Sequence, residues 1–341
     1  MGIKNLNRFL RDNCTKKSIQ QTHLKQFANK TIVIDTSIYL YKFSSENALM
    51  ENMYLFISIL KSYHITPLFI FDGKPPLEKK DLLIRRSIEK KEAKHKYYEL
   101  ESIISNSDKN ITIIGDEEKK EILLEMENLK RKFIRIRDDD IVKVKSLMDA
   151  YGVVYFDAPA EADQLCAYLV KTGKAWACIS DDMDMFLYGC NYVIRHISLL
   201  KHTITLYDTY SILDELNMSE KNFCEIMVLS GTDYNIHSNT SLNETIRWYR
   251  EYNKYRMKNE TINKISFGFY VWLIKNTKYI DDYKTLLQTY QMFQMNCYKD
   301  LINWEHIDIP EKNMDTESLK NIMEKEGFIF SKNNNSKTIK Q

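Results

Sequence analysis

Thr31-Ile-Val-Ile-Asp35 is a β-branched run ending on an aspartate, and Pro67-Leu-Phe-Ile-Phe-Asp72-Gly73 repeats the pattern thirty-odd residues on. Short apolar runs closed by turn residues read as buried strands. Two more follow. Val153 to Phe156 leads through Asp157-Ala-Pro159 into a helix whose first turn carries Glu161 and Asp163, and Ala175 to Ser180 runs into Asp181, Asp182 and Asp184. Asp233 comes after the apolar helical stretch Phe223 to Leu229, in Gly231-Thr-Asp-Tyr234. Strands alternating with helical segments predict an α/β fold, a mostly parallel twisted central sheet with helices on both faces. The carboxyl ends of such strands line one crevice. Asp35, Asp72, Glu161, Asp163, Asp182, Asp184 and Asp233 are thereby expected to converge.

Singly, each acid has an ordinary explanation. Asp35 could cap the following helix, Glu161 could complement a helix dipole, and Asp72-Gly73 could be a turn. Together they repel, raising one another's pKa values unless cations neutralise them. Oxygen donors without a Cys or His cluster suit Mg²⁺ or Mn²⁺ rather than Zn²⁺. Two such ions close together support in-line displacement at phosphorus, so the chemistry expected is phosphodiester hydrolysis.

Composition sets bounds on the remaining classes. The 341 residues are 44% apolar and 12% aromatic, enough to fill a sizeable core. Forty-nine basic and 47 acidic residues leave a net charge of +2, so a polyanionic partner must be sought in local charge. The six cysteines form neither a C-x-x-C pair nor a zinc spacing with histidine, and read as reduced thiols. No apolar stretch reaches transmembrane length and the first dozen residues are polar, so a soluble intracellular protein is expected. Met1-Gly2 is not a myristoylation signal, because position 6 is leucine.

Met1-Gly-Ile-Lys-Asn-Leu6, Ile34-Asp-Thr-Ser37, Phe71-Asp-Gly-Lys-Pro-Pro76, Asp157-Ala-Pro-Ala-Glu-Ala-Asp163, Ser180-Asp-Asp-Met-Asp184 and Gly231-Thr-Asp-Tyr234 occur in one order. In these motifs the chain resembles the flap endonuclease/XPG-type 5′ nuclease family over roughly residues 1 to 235. The Lys/Asn/Ile-rich composition points within it to the poxvirus branch. The resemblance implies a PIN-like core with one ion on Asp35, Asp72, Glu161 and Asp163 and a second on Asp182, Asp184 and Asp233. The family often has a second glutamate where this chain has Asp163, one methylene shorter; Asp181 aligns as a flanking residue.

Lys74 to Glu99 holds nine basic and five acidic residues and reads as a charged helix. By resemblance, 74–150 is a helical arch or gateway insertion over the site, in which Lys79 and Arg86 orient and polarise the scissile phosphate. Seven residues is about two helical turns, so both point one way. Lys130-Arg-Lys132, Arg135 and Arg137 add basic charge open to phosphate contact or to solvent. Tyr41 matches a family tyrosine that stacks on a base, although Tyr39, Tyr41 and Phe43 could all be packing aromatics. Gly2 matches a processed end that packs near the site.

Beyond Tyr234 the resemblance fades. The family's glycine-bearing helical hairpin, which holds duplex backbone and a monovalent cation, is absent or rebuilt, since no glycine occurs from 232 through 267. Arg247, Arg250 and Lys254, interleaved with Trp248, Tyr249, Tyr252 and Tyr255, suit DNA backbone and base contact, or else an amphipathic helix burying the aromatics. The organisation expected is a nuclease core over 1–235, a C-terminal helical DNA-binding region over 236–330, and a disordered basic tail over 331–341. No clamp-binding box is found near that end.

The function expected is a Mg²⁺-dependent structure-specific 5′ nuclease with two ions per site, acting on DNA flaps, nicks and branched junctions. Alternatives are a four-way-junction or bubble nuclease, a 5′ exonuclease, a metal-dependent ribonuclease of PIN type, and a non-catalytic junction scaffold. Replication, recombination and double-strand break repair follow from the resemblance alone. So do viral replication proteins as partners and, for a poxviral chain, the host cytoplasm.

Overall fold

A computed structural model describes residues 3, 5–108, 116–235, 239–260, 268–294, 309–310 and 312–330. Its centre is a sheet of β1 (Ile19–His23), β2 (Thr31–Asp35), β3 (Thr66–Phe71), β4 (Val154–Asp157), β5 (Ala177–Ile179), β6 (Tyr192–Ser198) and β7 (Thr203–Asp208), in the order β1-β7-β6-β5-β2-β3-β4. β6, β5, β2, β3 and β4 run parallel; at one edge β7 pairs antiparallel with β6, and β1 pairs antiparallel with β7.

β2 lies at mid-sheet because it is apolar on both faces, as a doubly covered strand must be. Ile32 and Ile34 enter one core and Val33 the other; Phe69 and Phe71 of β3 join the first, Leu68 and Ile70 the second. The first core is covered by α2 (Thr36–Ser45), α3 (Leu49–Ser62) and α6 (Asp138–Tyr151). The second is covered by α1 (Leu6–Asn13), α7 (Ala162–Lys171), α8 (Thr209–Glu215) and α9 (Glu220–Leu229). From β2 the chain steps outward to β3 and β4, then returns to the other side of β2 as β5. The β5/β2 boundary is therefore a switch point, where a crevice opens at the carboxyl ends.

α4 (Lys80–Asp108) and α5 (Asp116–Lys132) stand off the sheet as a pair. α4 starts just after Pro75-Pro76, which a helix interior excludes, and its run of Lys, Glu and Leu favours helix. The insertion expected to reach about 150 ends earlier. Val144, Leu147, Met148 and Ala150 of α6 are buried beneath the sheet, so α6 belongs to the core.

α10 (Leu242–Glu260), α11 (Phe269–Asn276) and α12 (Tyr283–Met292) extend the second core, whereas α13 (Thr316–Lys325) crosses to the first and packs on α6. Gly152, at φ 64°, ends α6 directly beneath this strap, and a Cβ there would lie 2.5 Å from the Lys312 carbonyl oxygen. Among the described residues no helix is long and apolar enough to cross a membrane. The 331–341 tail, Gly2 and residues 109–115 of the expected arch lie outside the described residues.

Candidate active site

Asp35 ends β2 and stands at the start of α2, but its side chain makes no cap hydrogen bond. Ser180 Oγ, at the end of β5, donates to Asp35 Oδ2 at 3.1 Å instead. The same hydroxyl accepts from the backbone N–H of Asp182 at 3.1 Å, and Asp182 Oδ1 accepts from the N–H of Asp184 at 3.0 Å. One serine thus ties the β2 acid to the β5 acids.

Asp72 follows β3, and its Oδ1 accepts from the N–H of Ala162 in the first turn of α7 at 2.8 Å. This contact needs the two loops to touch. Gly73 allows it, since a Cβ there would fall 2.0 Å from the Ala158 carbonyl oxygen. Glu161 immediately precedes α7 and Asp163 lies in its first turn. Asp233 arrives on the loop after α9.

The seven acids form one electrostatic group. Burial, then Asp72 and Asp182, push Asp35 up to about 7, against hydrogen bonds from Asp163 and Ser180. Burial, then Asp35 and Asp182, raise Asp163 well above the carboxylate range. Burial, Asp182 and Asp233 do the same to Asp184, with Glu161 adding to it. Asp184 is 1% exposed, and its Oδ1 is buried with no hydrogen-bond partner.

Two cations reach in from the foot of the helix pair. Lys79, in a short turn before α4, donates from Nζ to Glu161 Oε1 at 2.6 Å. Burial opposes its charge, but Glu161, Asp163 and Asp184 outweigh burial and push the ammonium up to about 12. Arg86 Nη2 donates to Asp233 Oδ2 at 2.9 Å. The expected seven-residue pair therefore meets the acids from one side.

Two tyrosines that sequence reasoning missed complete the wall. Tyr234 donates to Glu161 Oε2 at 2.5 Å and lies 3.1 Å from the hydroxyl of Tyr188, while Lys79 Nζ sits 4.8 Å from the centre of the Tyr234 ring. Tyr234 stood inside a quoted motif without a role; Tyr188 carried no sequence signal. Arg195 was missed too, although an arginine inside Tyr192-Val-Ile-Arg-His-Ile197 is an anomaly that could have marked it. It is buried, and its Nη2 donates to the Asp181 carbonyl oxygen at 2.8 Å. Asp181 Oδ1 accepts from the N–H of His196 at 2.9 Å. Asp181 anchors the acid-bearing loop to β6 and lies outside the acid group.

Tyr41 is 47% exposed, unlike the core residues Tyr39 and Phe43, and Lys90 of α4 lies over its ring at 5.4 Å. The expectation that aromatics of α10 meet DNA is overturned. Tyr249 and Tyr252 are buried against Phe269 and Trp272, and Trp248 and Tyr255 pack on the same cluster. A ring in the core cannot stack on a base. Arg247, Arg250 and Lys254 remain on the exposed face, where Arg247 pairs with Glu244 at 3.3 Å and Lys254 with Glu251 at 2.7 Å.

Among the described residues, no three acidic, His or Cys side chains stand in a ready-made cation cage. Glu161 and Asp233 lean on Lys79 and Arg86, and Asp72 on a backbone N–H. The donor set nevertheless fits hard divalent ions. It is oxygen-only, its buried acids are pushed upward by burial and by one another, and it includes a buried carboxylate oxygen with no hydrogen-bond partner.

Residues 1–93 match the XPG N-terminal domain and residues 152–233 the XPG I-region, together half of the chain. Flap endonuclease 1 of Glossina morsitans morsitans is 28% identical over 253 residues, covering 69% of this chain and 61% of that protein. The probable RAD2-like endonuclease 369L of Invertebrate iridescent virus 6 is 27% identical over 282 residues, covering 69% and 67%. The chain thus spans less than two thirds of the length of the first of these relatives. The catalytic core of Rad2 in complex with DNA substrate shares the fold, with a TM-score of 0.64 at 20% identity over 95% of this chain and 94% of that one. Every one of the seven acids lies within the two matched stretches, on the sheet and loops that bring them together, and the chain belongs to the XPG family.

Proposed function

We propose that this chain is a divalent-metal-dependent, structure-specific DNA nuclease of flap-endonuclease type. The observation that carries the reading is the gathering of seven carboxylates at the switch point of the sheet beneath Lys79 and Arg86. Binding alone has no need of so many buried like charges, whose desolvation is costly. Asp35, Asp72, Glu161 and Asp163 would hold one Mg²⁺ or Mn²⁺, and Asp182, Asp184 and Asp233 a second. Such ions supply Lewis-acid activation of water and of the leaving oxygen at phosphorus.

The chain's own groups orient the substrate. Lys79 and Arg86 project from the foot of the helix pair toward the acids, where they would clamp the non-bridging oxygens of the scissile phosphate and stabilise charge developing there. Hydrolysis would leave a 5′-phosphate. Tyr234 fixes the Glu161 carboxylate, and Ser180 fixes Asp35 relative to Asp182. Tyr41, exposed beside Lys90, offers a ring on which a base next to the cut could stack. The exposed Arg247, Arg250 and Lys254 would contact duplex backbone without reading sequence. A role in DNA replication, recombination or break repair, and for a poxviral chain the host cytoplasm, rests on the sequence resemblance; the viral relative, named a probable RAD2-like endonuclease, supports only the nuclease reading.

The test is cleavage of end-labelled 5′-flap, nicked, four-way-junction and single-stranded DNA in Mg²⁺ by wild type and by Asp184→Asn. Cutting by wild type alone, with DNA binding kept by the variant and cutting abolished by chelator, is expected. Binding of these DNAs with no cutting in Mg²⁺ or Mn²⁺ would replace the nuclease with a junction scaffold.

A further inference from the structure

Behind the acids runs a line of buried hydrogen bonds. Tyr234 donates its phenol proton to Glu161 Oε2 at 2.5 Å. A phenol has a single proton, so at the 3.1 Å contact between the two tyrosine hydroxyls it is Tyr188 that donates. Gln164 Nε2 in turn donates to the Tyr188 oxygen at 3.4 Å. The line therefore has one direction, from Gln164 through Tyr188 and Tyr234 to the carboxylate. Tyr188 is 2% exposed, Gln164 5% and Tyr234 8%, so solvent does not stand in for any of these partners.

The same line joins three acid-bearing segments. Glu161 and Gln164 stand at the start of α7, the backbone N–H of Tyr188 donates to the Asp184 carbonyl oxygen at 3.1 Å, and Tyr234 directly follows Asp233. Both tyrosine rings rest on Phe293 at the end of α12, with ring centres 5.0 and 5.5 Å away. Packing thus seats the rings, and the hydroxyls act on Glu161. A hydroxyl that receives a hydrogen bond is polarised and donates more strongly, so the proton from Tyr188 tightens the hold of Tyr234 on the carboxylate. Without it the Tyr234 oxygen would be a buried acceptor with a lost partner. With Oε2 fixed from behind, Oε1, which Lys79 holds at 2.6 Å, is the oxygen that Glu161 presents on the side of the cations.

We propose that Tyr188 is a positioning residue: acting through Tyr234, its hydroxyl orients the Glu161 carboxylate for a divalent cation. The proposal rests on the metal-holding role given to Glu161 above. The test is Mn²⁺ binding to the DNA-free protein, followed by the paramagnetic resonance signal of the unbound ion, in wild type, Tyr188→Phe, Tyr234→Phe and the double variant. Phenylalanine keeps each ring on Phe293 and removes only the hydroxyl. Partners that orient a metal ligand are worth about 10- to 100-fold in metal affinity, so Tyr188→Phe should weaken Mn²⁺ binding about tenfold and Tyr234→Phe at least as much. The double variant should bind no more weakly than Tyr234→Phe alone, because residues that act in series do not add. Tyr151→Phe removes a buried hydroxyl bonded to Ser58 in the other core and serves as the control. It should leave Mn²⁺ affinity within about twofold, as a distant independent site does. Unchanged affinity in Tyr188→Phe, losses that add in the double variant, or an equal loss in Tyr151→Phe would each overturn the proposal, as would a wild-type protein that binds no Mn²⁺. A wild type that shows the expected series yet cuts no DNA would sink the nuclease reading and leave this role of Tyr188 standing.

Discussion

Replacing Lys79 by methionine keeps the stem of the side chain and removes its charge. Lys79 and Glu161 are 8% and 14% exposed and 2.6 Å apart, so solvent screens the pair little. Although burial works against the ammonium, Glu161, Asp163 and Asp184 together raise it from 10.5 to about 12. At about 1.4 kcal/mol per unit, this favours the charged form in the folded state by about 2 kcal/mol. The folded value is the higher one. That stability is therefore fully present below 10.5 and is lost only as pH rises toward about 12, so at pH 8 the substitution removes all of it. In chelator, Lys79→Met should lower stability by about 2 kcal/mol, seen as a fall in Tm of about 3 °C. In Mg²⁺ the deficit should shrink, because Glu161 then has another positive partner, while cleavage at saturating DNA should fall by about 10²- to 10³-fold. Calorimetry in chelator and single-turnover cleavage read the two effects separately. Unchanged melting in chelator would refute the electrostatic account of the pair. A destabilised variant that cleaves at the wild-type rate would remove Lys79 from the reaction.

Asp35→Asn tests the acid group from the other direction. Burial, Asp72 and Asp182 raise Asp35 to about 7, so the folded state holds a proton that the unfolded chain releases near pH 4, and stability falls as pH rises from about 4 to about 7. In chelator the variant should melt higher than wild type at pH 8, by up to about 4 kcal/mol, and no higher at pH 4; an equal difference at both would exclude charge as the cause. Tyr252→Ala should cost about 3–5 kcal/mol in urea unfolding and Arg250→Ala within about 0.5 kcal/mol, and the reverse order would return the α10 aromatics to the surface. Removing Arg247, Arg250 and Lys254 together should flatten the salt dependence of DNA binding, its slope falling by about one for each phosphate that is no longer neutralised. An unchanged slope would place the duplex elsewhere.

The acid site was legible to an unusual degree because each acid ends a local pattern. An apolar run closing on Asp35 or Asp72 states both the strand and the end at which the acid lies, and a parallel sheet brings such ends together. The strands at the β1 edge of the sheet were not legible. Ile19-Gln-Gln-Thr-His23 is polar along most of its length, because only one of its sides is hydrogen-bonded and much of it meets solvent, so nothing in its own residues distinguishes it from a loop. β6 and β7 are joined by a turn without an Asn-Gly or Asp-Gly signal; left-handed histidines at 196 and 202 accompany it instead.

Sequence by itself determined the parallel core and its acids, because periodicity and strand ends are properties of neighbouring residues; Lys79 and Arg86 were singled out among nine basic residues by the family resemblance alone. Tertiary structure alone decided which way each face turns. Helical spacing grouped Tyr249 and Tyr252 with Trp248 and left open whether that stripe met DNA or protein, and packing on Phe269 and Trp272 answered it. The same holds for the helix pair. Its composition announced one charged helix over 74–99, whereas the pairing of α4 with α5 depends on Ala93, Met126 and Leu129 finding each other across more than thirty residues of chain, a long-range association that no local pattern encodes.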